Sequence, residues 1–515
     1  MSKEFCLLDE PWLPVRLADG RVTELGLLDV FKRSGEIVAL AETAPPSLVA
    51  QYRLLLAITH RALSRALGSW KDKDRARWYR EGLPVEEICA YLEHWRDRFW
   101  LFHPEYPFMQ VAALAAAEET RDKRKPWTQI ALASANGNTP AVFDHAYDDA
   151  PVAIRPADAL STLLGFLQFT PGGLVKTLRD ADKAGALANT AAIISVGTSL
   201  SQTLCLCLHP ALTDHGDDDF PAWEHDPLTI EQLRGDPVLA TGPNDRYTRQ
   251  SRAVLLQRED NGNVRWLCFA AGLALGEDAS APDPMASFRA GTNGLVRISF
   301  TEGRALWRDL PALVPNPTGE SQSAAVLNYA IALHQRSSFD QVYQPLLVAG
   351  LASDQAKLLR WRSEQIALPA SMLIDAKKAV HLRSLVAKAE AMFGDLRSLA
   401  TRMLAETLPD SASKDTRTRA RSQLEAGPFA ASYFAAVERV LPQVLNLIGN
   451  SRPDQAEALW CATLRRGALQ SWEQVLTGLG SSVRALQADA KFWPRIHGVL
   501  NKHVPQTESN LVKEA

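Results

Sequence analysis

Histidine and carboxylate side chains are concentrated between residues 209 and 226, where they could hold a divalent metal ion. His209, His215, His225 and Asp226 would be the ligands of a metal-dependent phosphohydrolase, because imidazole and carboxylate groups bind such ions and a bound metal activates water. The segment is also rich in proline and loop-like, whereas a metal site needs ligands on rigid elements. The pattern is therefore more typical of a solvated acidic loop than of an enzyme centre.

A second group, His103 with Asp144 and His145, is open to the same two interpretations. The chain has no GxSxG motif, Walker loop or dinucleotide-binding fingerprint. Its six cysteines include no CxxC pair, which fits small buried residues of a reducing cytoplasm. These observations predict a protein without catalytic residues, metal or cofactor.

Three loops are candidates for contacts with nucleic acid. They are the basic run Arg121–Pro126, the polar run Ser134–Thr139 and the glycine-containing run Thr170–Arg179, which leads on to Gly185. Small polar residues and glycine let a backbone approach phosphates closely, and Asn or Thr can donate to them. Taken singly, each loop is more typical of a plain connection.

The charge of the chain is unevenly distributed. Its 515 residues carry a net charge of −3, but residues 376–505 contain 18 basic and 11 acidic side chains. Such asymmetry indicates that the C-terminal part faces a polyanion, or else that arginines simply cover helix surfaces. The longest apolar run, Val111–Ala117, is too short to span a membrane. Acidic residues among the first ten predict no export signal, and thus a cytoplasmic protein.

Local patterns predict a mixed N-terminal part with three hairpins. The first turns at Asp19-Gly20, where both turn residues are expected to have positive φ. The second joins 253–257 to 264–269, and the third joins 345–351 to 359–363. Apolar spacing predicts helices over 46–68, 84–101, 157–169 and 190–208.

Beyond residue 370 only helical patterns occur. Helices are expected over a long segment carrying Leu382 to Met403, over 415–448, over 454–475 and over 481–502. Short connections between helices favour an antiparallel bundle of four. The sequence thus predicts the α+β class, with a mixed α/β domain over residues 1–370 and a four-helix bundle over 371–515.

Several motifs, taken in order, resemble the large subunit (CasA family) of the type I-E CRISPR Cascade surveillance complex. The motifs are Leu7–Val15, His103–Gln110, Asn136–Asn138 leading to Val142–His145, Pro171–Gly173, Val196–Leu200 with Thr203 and Leu204, and Ala349–Lys357. The resemblance extends over the whole chain and rests on the joint order of the motifs.

The resemblance implies a non-enzymatic DNA-reading subunit. Its expected partners are the crRNA guide, the other Cascade subunits, double-stranded target DNA and a helicase-nuclease, but no membrane. Its expected role is to recognise the protospacer-adjacent motif (PAM) in duplex DNA, to help open the duplex into an R-loop and to recruit the nuclease for antiviral defence. In guided effectors, base pairing reads the sequence and protein reads the PAM.

Residue roles follow from the same resemblance. Gln355, preceded by Ser353 and Asp354 at the tip of the third hairpin, resembles a glutamine wedge that separates base pairs. Gly185 and Ala188 resemble a glycine loop that meets the PAM from the minor groove, with Ala188 standing where glycine is expected. The loop expected to contact the guide and the complex is Asn136-Gly137-Asn138.

Two further points complete the predicted interface. Leu273 stands where some relatives carry a PAM-contacting lysine, so that contact is missing or supplied elsewhere. From charge and position alone, the basic bundle is a hypothetical path for the displaced non-target strand, lined by Arg417, Arg419, Arg421, Arg465, Arg466, Arg484 and Arg495. A scaffold that binds RNA without reading a PAM remains the other non-enzymatic interpretation.

Overall fold

The computed structural model describes residues 3–132, 150–173, 175–179, 183–211, 218–277, 281–316, 319–336, 342–354 and 357–505. The chain divides into two compact units. The first comprises residues 1–302 and 319–367, and the second comprises 303–318 and 368–515. The structure therefore assigns the segment 303–318 to the helical unit, whereas the sequence placed it in the N-terminal part. No helix of the described chain is both long and apolar enough to cross a membrane.

The first unit mixes short strands with helices. Its elements up to residue 132 are β1 (Glu4–Cys6), β2 (Leu13–Leu17), β3 (Val22–Leu25), α1 (Leu27–Lys32), β4 (Ile37–Leu40), α2 (Pro45–Leu67), α3 (Asp72–Glu81), α4 (Val85–His94), β5 (Trp100–Phe102) and β6 (Lys125–Pro126). They are followed by α5 (Pro156–Phe169), β7 (Ala191–Ser195), α6 (Leu200–Cys207), α7 (Ile230–Arg234), α8 (Pro243–Thr248), β8 (Arg252–Arg258), β9 (Val264–Ala271), β10 (Phe288–Gly291), β11 (Gly294–Arg297), β12 (Ser321–Gln322), α9 (Ala325–Arg336), β13 (Tyr343–Asp354) and β14 (Lys357–Pro369).

The described strands form small sheets, and the largely buried helix α2 packs on β13 and on several helices. The strand orders are β3-β2-β4, β6-β9-β8, β14-β13-β7, β11-β10-β12 and the pair β1-β5. Helix α2 begins with two prolines, which suit the first turn of a helix, and it ends before Gly68, whose φ is +70°. Its predicted apolar stripe, including Leu55 and Ile58, is buried. The helices predicted over 46–68 and 157–169 are thus confirmed as α2 and α5.

The three predicted hairpins are confirmed as β2-β3, β8-β9 and β13-β14. In the first turn, however, Gly20 has a φ of +86° whereas Asp19 does not have positive φ. The reason is that the connection is longer than a two-residue turn: the N–H of Gly20 donates to the carbonyl of Leu17, and the N–H of Leu17 donates to that of Arg21. A single left-handed residue then suffices to reverse the chain.

Two predicted helices differ in the structure. The one expected over 84–101 ends at His94, because the chain passes through a 3-10 turn at Arg96–Arg98 and then forms β5. The one expected over 190–208 is a strand followed by a helix: β7 pairs with β13 from Ala191↔Gly350 to Ser195↔Leu346, and α6 begins only at Leu200. All five residues of β7 are buried.

The second unit confirms the predicted helical C-terminal part. After the 3-10 helix Leu306–Ala312, its helices are α10 (Ala370–Ile374), α11 (Ala376–Thr407), α12 (Lys414–Ala426), α13 (Phe429–Glu438), α14 (Leu441–Gly449), α15 (Pro453–Leu479) and α16 (Val483–His503). Its core includes the buried side chains of Trp460, Trp472, Tyr433 and Phe492. The segment predicted as one helix over 415–448 is three, since Gly427-Pro428 and Pro442 interrupt the backbone hydrogen bonds.

Ion pairs and hydrogen bonds fix the helix directions in the second unit. Lys491 of α16 pairs with Glu406 of α11 at 2.8 Å, and Lys502 pairs with Asp395 at 2.8 Å, so these helices are antiparallel. The carbonyl of Gly449, at the end of α14, accepts a 2.6 Å hydrogen bond from Lys378 near the start of α11. The three consecutive helices α12–α14 therefore run antiparallel to α11. Counted together as one segment, they form an up-down bundle of four with α11, α15 and α16.

Candidate nucleic-acid interface

The predicted wedge hairpin is anchored in the core at its inner half. Along β13, Leu346 and Val348 are fully buried and are paired with β7. Gly350 has to be glycine there, because a Cβ would lie 2.4 Å from the carbonyl oxygen of Thr190. Pairing with β7 ends at this residue, so the outer part of the hairpin continues beyond β7. Ser353 and Asp354 end β13, whereas Gln355 lies outside the described residues.

The candidate glycine loop, residues 183–190, leads directly into β7. Because β7 and β13 are antiparallel and Ala191 pairs with Gly350, this loop lies at the end of the sheet where the hairpin extends outward. The structure thus places the loop that contains Gly185 and Ala188 at the same end of the sheet as the strand end that carries Ser353 and Asp354.

Backbone hydrogen bonds and two arginines hold the loop. The N–H of Gly185 donates to the carbonyl of Thr170 at 2.9 Å, and the N–H of Leu187 donates to that of Gln168 at 2.8 Å. The buried guanidinium of Arg252 donates to Lys183 and Pro171 carbonyls at 2.6 and 2.7 Å. Arg297 donates to the carbonyl of Ala186 at 3.0 Å. Sequence reasoning missed both arginines, since nothing near them in the chain points to this loop.

Gly185 and Ala188 differ in their surroundings. Gly185 is buried, and a Cβ on it would lie 2.6 Å from the carbonyl oxygen of Gln168. Packing therefore requires glycine at this position. Ala188 is half-buried, and the exposed Asn189 next to it has a φ of +52°. The part of the loop that faces solvent is thus Ala188-Asn189.

Leu273 lies beside the cation Arg179. The N–H of Leu273 donates to the carbonyl of Gln250 at 2.9 Å. Arg179 donates to the carbonyl of Gly272 at 2.7 Å and to that of Gly235 at 3.0 Å. A positive charge therefore stands next to the backbone where the sequence lacks the expected lysine. Asn136, Gly137 and Asn138, the predicted guide-contacting loop, lie outside the described residues.

Six of the seven predicted bundle arginines fall into two groups, and the seventh, Arg495, is exposed on α16. Arg417, Arg419 and Arg421 on α12 and Arg484 on α16 lie towards the end of the bundle where α11 ends. Arg417 and Arg421 share one side of α12, since its buried stripe is Thr416, Ala420 and Leu424, and Arg419 lies on the other side of that stripe.

The second group is midway along α15. It consists of Arg465 and Arg466, of which Arg466 is exposed. Among the described residues, no hydrogen-bond partner is present for the buried Nη1 of Arg465. Helix α12 packs on α11 and α13, whereas α15 packs on α11, α13, α14 and α16. The predicted arginines therefore belong to one unit but do not form one row, and Arg465 is only partly exposed.

The described members of the histidine and carboxylate group near residue 209 do not come together as a metal site. His209 is buried, and its ring stacks on His60 with the ring centroids 3.6 Å apart. Asp219 accepts hydrogen bonds from the N–H groups of Asn244 and Asp245 and so supports the start of α8. The ring of His225 packs edge-on against the ring of Phe220. His215 lies outside the described residues.

In the second candidate group, His103 with Asp144 and His145, the described residue His103 has a structural role. Nδ1 of His103 accepts the backbone N–H of Glu105 at 3.1 Å and that of Tyr106 at 2.8 Å, and thereby shapes the turn. Asp144 and His145 lie outside the described residues. Within the part of the chain that the structure describes, no three histidine, cysteine or carboxylate side chains form a metal-binding group.

Comparison with known proteins first places the chain among the CRISPR-associated proteins. The crystal structure of CasA from Thermus thermophilus superposes with a TM-score of 0.83 and 30% identity, covering 97% of this chain and 100% of that one. A chain of a solved CRISPR RNA-guided surveillance complex has the same fold, with a TM-score of 0.75 at 23% identity over 96% of this chain and 100% of that one.

Sequence comparison narrows the class to a family. The family model described as CRISPR-associated protein Cse1 matches residues 7–471. The curated CRISPR-associated protein CasA/Cse1 of Thermus thermophilus is 33% identical over 501 residues, which cover 95% of this chain and 96% of the relative. The chain belongs to the Cse1 (CasA) family, as the order of its motifs predicted.

Proposed function

We propose that this chain is the large, non-catalytic subunit of a crRNA-guided type I-E Cascade complex in the cytoplasm. In this role it recognises the PAM in double-stranded DNA, helps to open the target into an R-loop, and recruits a helicase-nuclease. Membership of the Cse1 family and the fold shared with a chain of a CRISPR RNA-guided surveillance complex support the assembly with guide RNA and with other Cascade subunits.

One observation carries the DNA-reading part of the proposal. The loop 183–190 and the outer half of the β13–β14 hairpin lie at the same end of one sheet, although they are far apart in sequence. The loop is held by Arg252 and Arg297, and the hairpin is fixed in the core through Leu346 and Val348. A stiff hairpin beside a rigid loop suits a protein that grips the PAM while Gln355 separates the next base pair.

The arginines of the bundle extend the proposal beyond the PAM. Exposed cations bind phosphates without regard to sequence, which suits a displaced strand whose sequence varies from target to target. Arg417, Arg419, Arg421 and Arg484 at one end of the bundle, and Arg465 and Arg466 on α15, are the proposed contacts. The guide and the neighbouring subunits are assigned to the loop Asn136–Asn138.

The experiment is duplex binding by the reconstituted, guide-loaded complex across a library of PAM variants. The complex contains either the wild-type chain or Gln355→Ala, and Asn261→Ala serves as a matched control because Asn261 is an exposed residue in the turn of the β8–β9 hairpin. We expect PAM-selective binding and R-loop opening that are lost with Gln355→Ala and kept with Asn261→Ala. Equal binding to every flank, unchanged by Gln355→Ala, would favour the RNA-binding scaffold instead.

A further inference from the structure

A cavity of about 190 Å³ in the first unit has no role in the proposal above. Two indole rings, those of Trp127 and Trp361, form part of its lining together with Ser47, Thr162, Gly165 and Phe166. Pockets for drug-sized ligands are commonly about 300–1,000 Å³, so this cavity suits a single planar ring system.

The inner wall of the cavity is the crossing of α2 and α5. A Cβ at Gly165 would lie 2.7 Å from Oγ of Ser47, so the glycine allows the two helices to approach closely. Oγ of Ser47 donates to the carbonyl of Ser161 at 2.8 Å, and Oγ1 of Thr162 donates to that of Asp158 at 2.7 Å. Both hydroxyl protons are therefore engaged, whereas the hydroxyl oxygens keep lone pairs that can accept from a ligand.

The two indoles are suited to stacking. The indole N–H of Trp127 donates to the carbonyl of Val152 at 2.7 Å, which fixes this ring and satisfies its polar group. Trp361 lies on β14 and keeps 36% of its surface exposed, which is unusual for so large an apolar side chain. Aromatic rings with few polar groups bind flat heteroaromatic rings by stacking.

A run of basic residues comes directly before Trp127 in the chain. Lys123, Arg124 and Lys125 are exposed, and Lys125 precedes Trp127 by only two residues. Two acidic residues of the same stretch are paired, Asp122 with Arg121 and Glu119 with Arg234. In the basic run Arg121–Pro126, which the proposed function leaves unused, Lys123 and Lys125 are thus the cations that could contact phosphates near an aromatic pocket.

We propose that this cavity binds one unpaired nucleobase against the indoles of Trp127 and Trp361, and that its flanking phosphates contact Lys123 and Lys125. Proteins that bind single strands combine such cations with stacking aromatic rings. The inference rests on the proposed function only in that an R-loop complex supplies unpaired bases. Guide RNA and an opened DNA strand share this chemistry.

The test measures binding of the full chain to fluorescent ten-nucleotide oligo(dT) and to an abasic oligonucleotide with the same number of phosphates. We expect at least tenfold tighter binding of oligo(dT) by the wild type, and Trp361→Ala to abolish this difference without changing the abasic affinity. Trp361→Phe should retain most of the difference. Trp95→Ala, which removes an aromatic ring outside the cavity, should retain all of it. Lys123→Ala with Lys125→Ala should weaken binding of both probes and reduce their salt dependence.

Three results would overturn the proposal: no wild-type binding of oligo(dT), equal wild-type affinity for the two probes, or an undiminished difference in Trp361→Ala. An oligo(rU) probe identifies the source, since tighter binding of RNA indicates the guide and tighter binding of DNA indicates the opened target. PAM selectivity of the guide-loaded complex is a separate readout. If it persists while the base preference fails, only the cavity assignment is wrong; if it fails while the base preference persists, the proposed PAM function is wrong.

Discussion

Arg53 donates a 2.7 Å hydrogen bond to Asp283 at a position where neither side chain is exposed to solvent. Arg53 lies on helix α2, and its guanidinium also sits 4.4 Å from the ring centroid of Tyr247. Burial alone would raise the pKa of Asp283, but Arg53 and Arg246 outweigh burial and hold that pKa below its ordinary value. This ion pair therefore links α2 to the segment that precedes β10.

Removing one partner of this ion pair should destabilise the chain strongly. We expect Asp283→Ala to lower the free energy of unfolding by about 3 kcal/mol or more, because the charge of Arg53 is then buried without compensation. Urea denaturation at neutral pH measures the change. The control is Asp97→Ala, since Asp97 pairs with Lys3 at the surface and should cost less than about 1 kcal/mol. Similar losses for the two variants would contradict this account.

The stacked pair His60 and His209 should make stability fall in mild acid. Burial is the main cause that lowers the pKa of His60, to about 4, and it also lowers the pKa of His209 well below its ordinary value. Both rings thus stay neutral in the folded chain, whereas the unfolded chain takes up protons near pH 6.5. The contribution of these two neutral histidines to the free energy of unfolding is fully present above that pH and is lost as the pH falls towards 4. His60 alone accounts for roughly 3 kcal/mol of the loss.

The midpoint of urea unfolding between pH 7.5 and 4.5 tests this dependence. The double variant His60→Gln with His209→Gln should have a flatter pH profile than the wild type, whatever its absolute stability. His94→Gln changes an exposed histidine of α4 and should leave the slope unaltered. A double variant with the slope of the wild type would show that other groups cause the acid sensitivity.

Local signals predicted those elements whose causes are local. The two prolines and Gly68 bound α2, and turn residues mark the three hairpins, so each could be located from a few neighbouring residues. The stretch Ala191–Ser195 carried no such mark, because an apolar run without alternation fits a buried strand or a helix equally. Its pairing with β13, about 150 residues further on, decides between them.

The candidate sites also depend on contacts between residues that are far apart in sequence, so local patterns could not predict them. Gly185 has to be glycine because of the carbonyl of Gln168, and the aromatic cavity unites Trp127 with Trp361 from distant parts of the chain. The segment 303–318 joins the helical unit through Arg304 and Arg308, which both pair with Glu390 of α11. These relationships depend on tertiary packing, and no motif in the sequence predicts them. Resemblance to a family supplied the candidate wedge and loop, which spacing alone did not.

Gly185→Ala should disturb the loop that carries Ala188. The new Cβ would lie 2.6 Å from a backbone oxygen, and overpacking of this kind costs about 1–3 kcal/mol. We expect a lower unfolding temperature and weaker PAM selectivity of the guide-loaded complex. Ala188→Gly is the matched control: it removes a methyl group from a half-buried position and should leave the unfolding temperature nearly unchanged. If the Gly185→Ala chain is destabilised but keeps full PAM selectivity, the loop does not take part in PAM recognition.

Charge reversal in the bundle should weaken the R-loop without affecting PAM choice. We expect Arg465→Glu with Arg466→Glu, and likewise Arg417→Glu with Arg419→Glu, to shorten the R-loop lifetime. For every phosphate of the single strand that is no longer neutralised, the negative slope of log K against log salt concentration should decrease in magnitude by about 0.7. Lys502→Glu is the control, because Lys502 already pairs with Asp395. If only the α15 pair acts, the strand follows α15, and if neither pair changes lifetime or salt slope, the bundle does not hold the displaced strand.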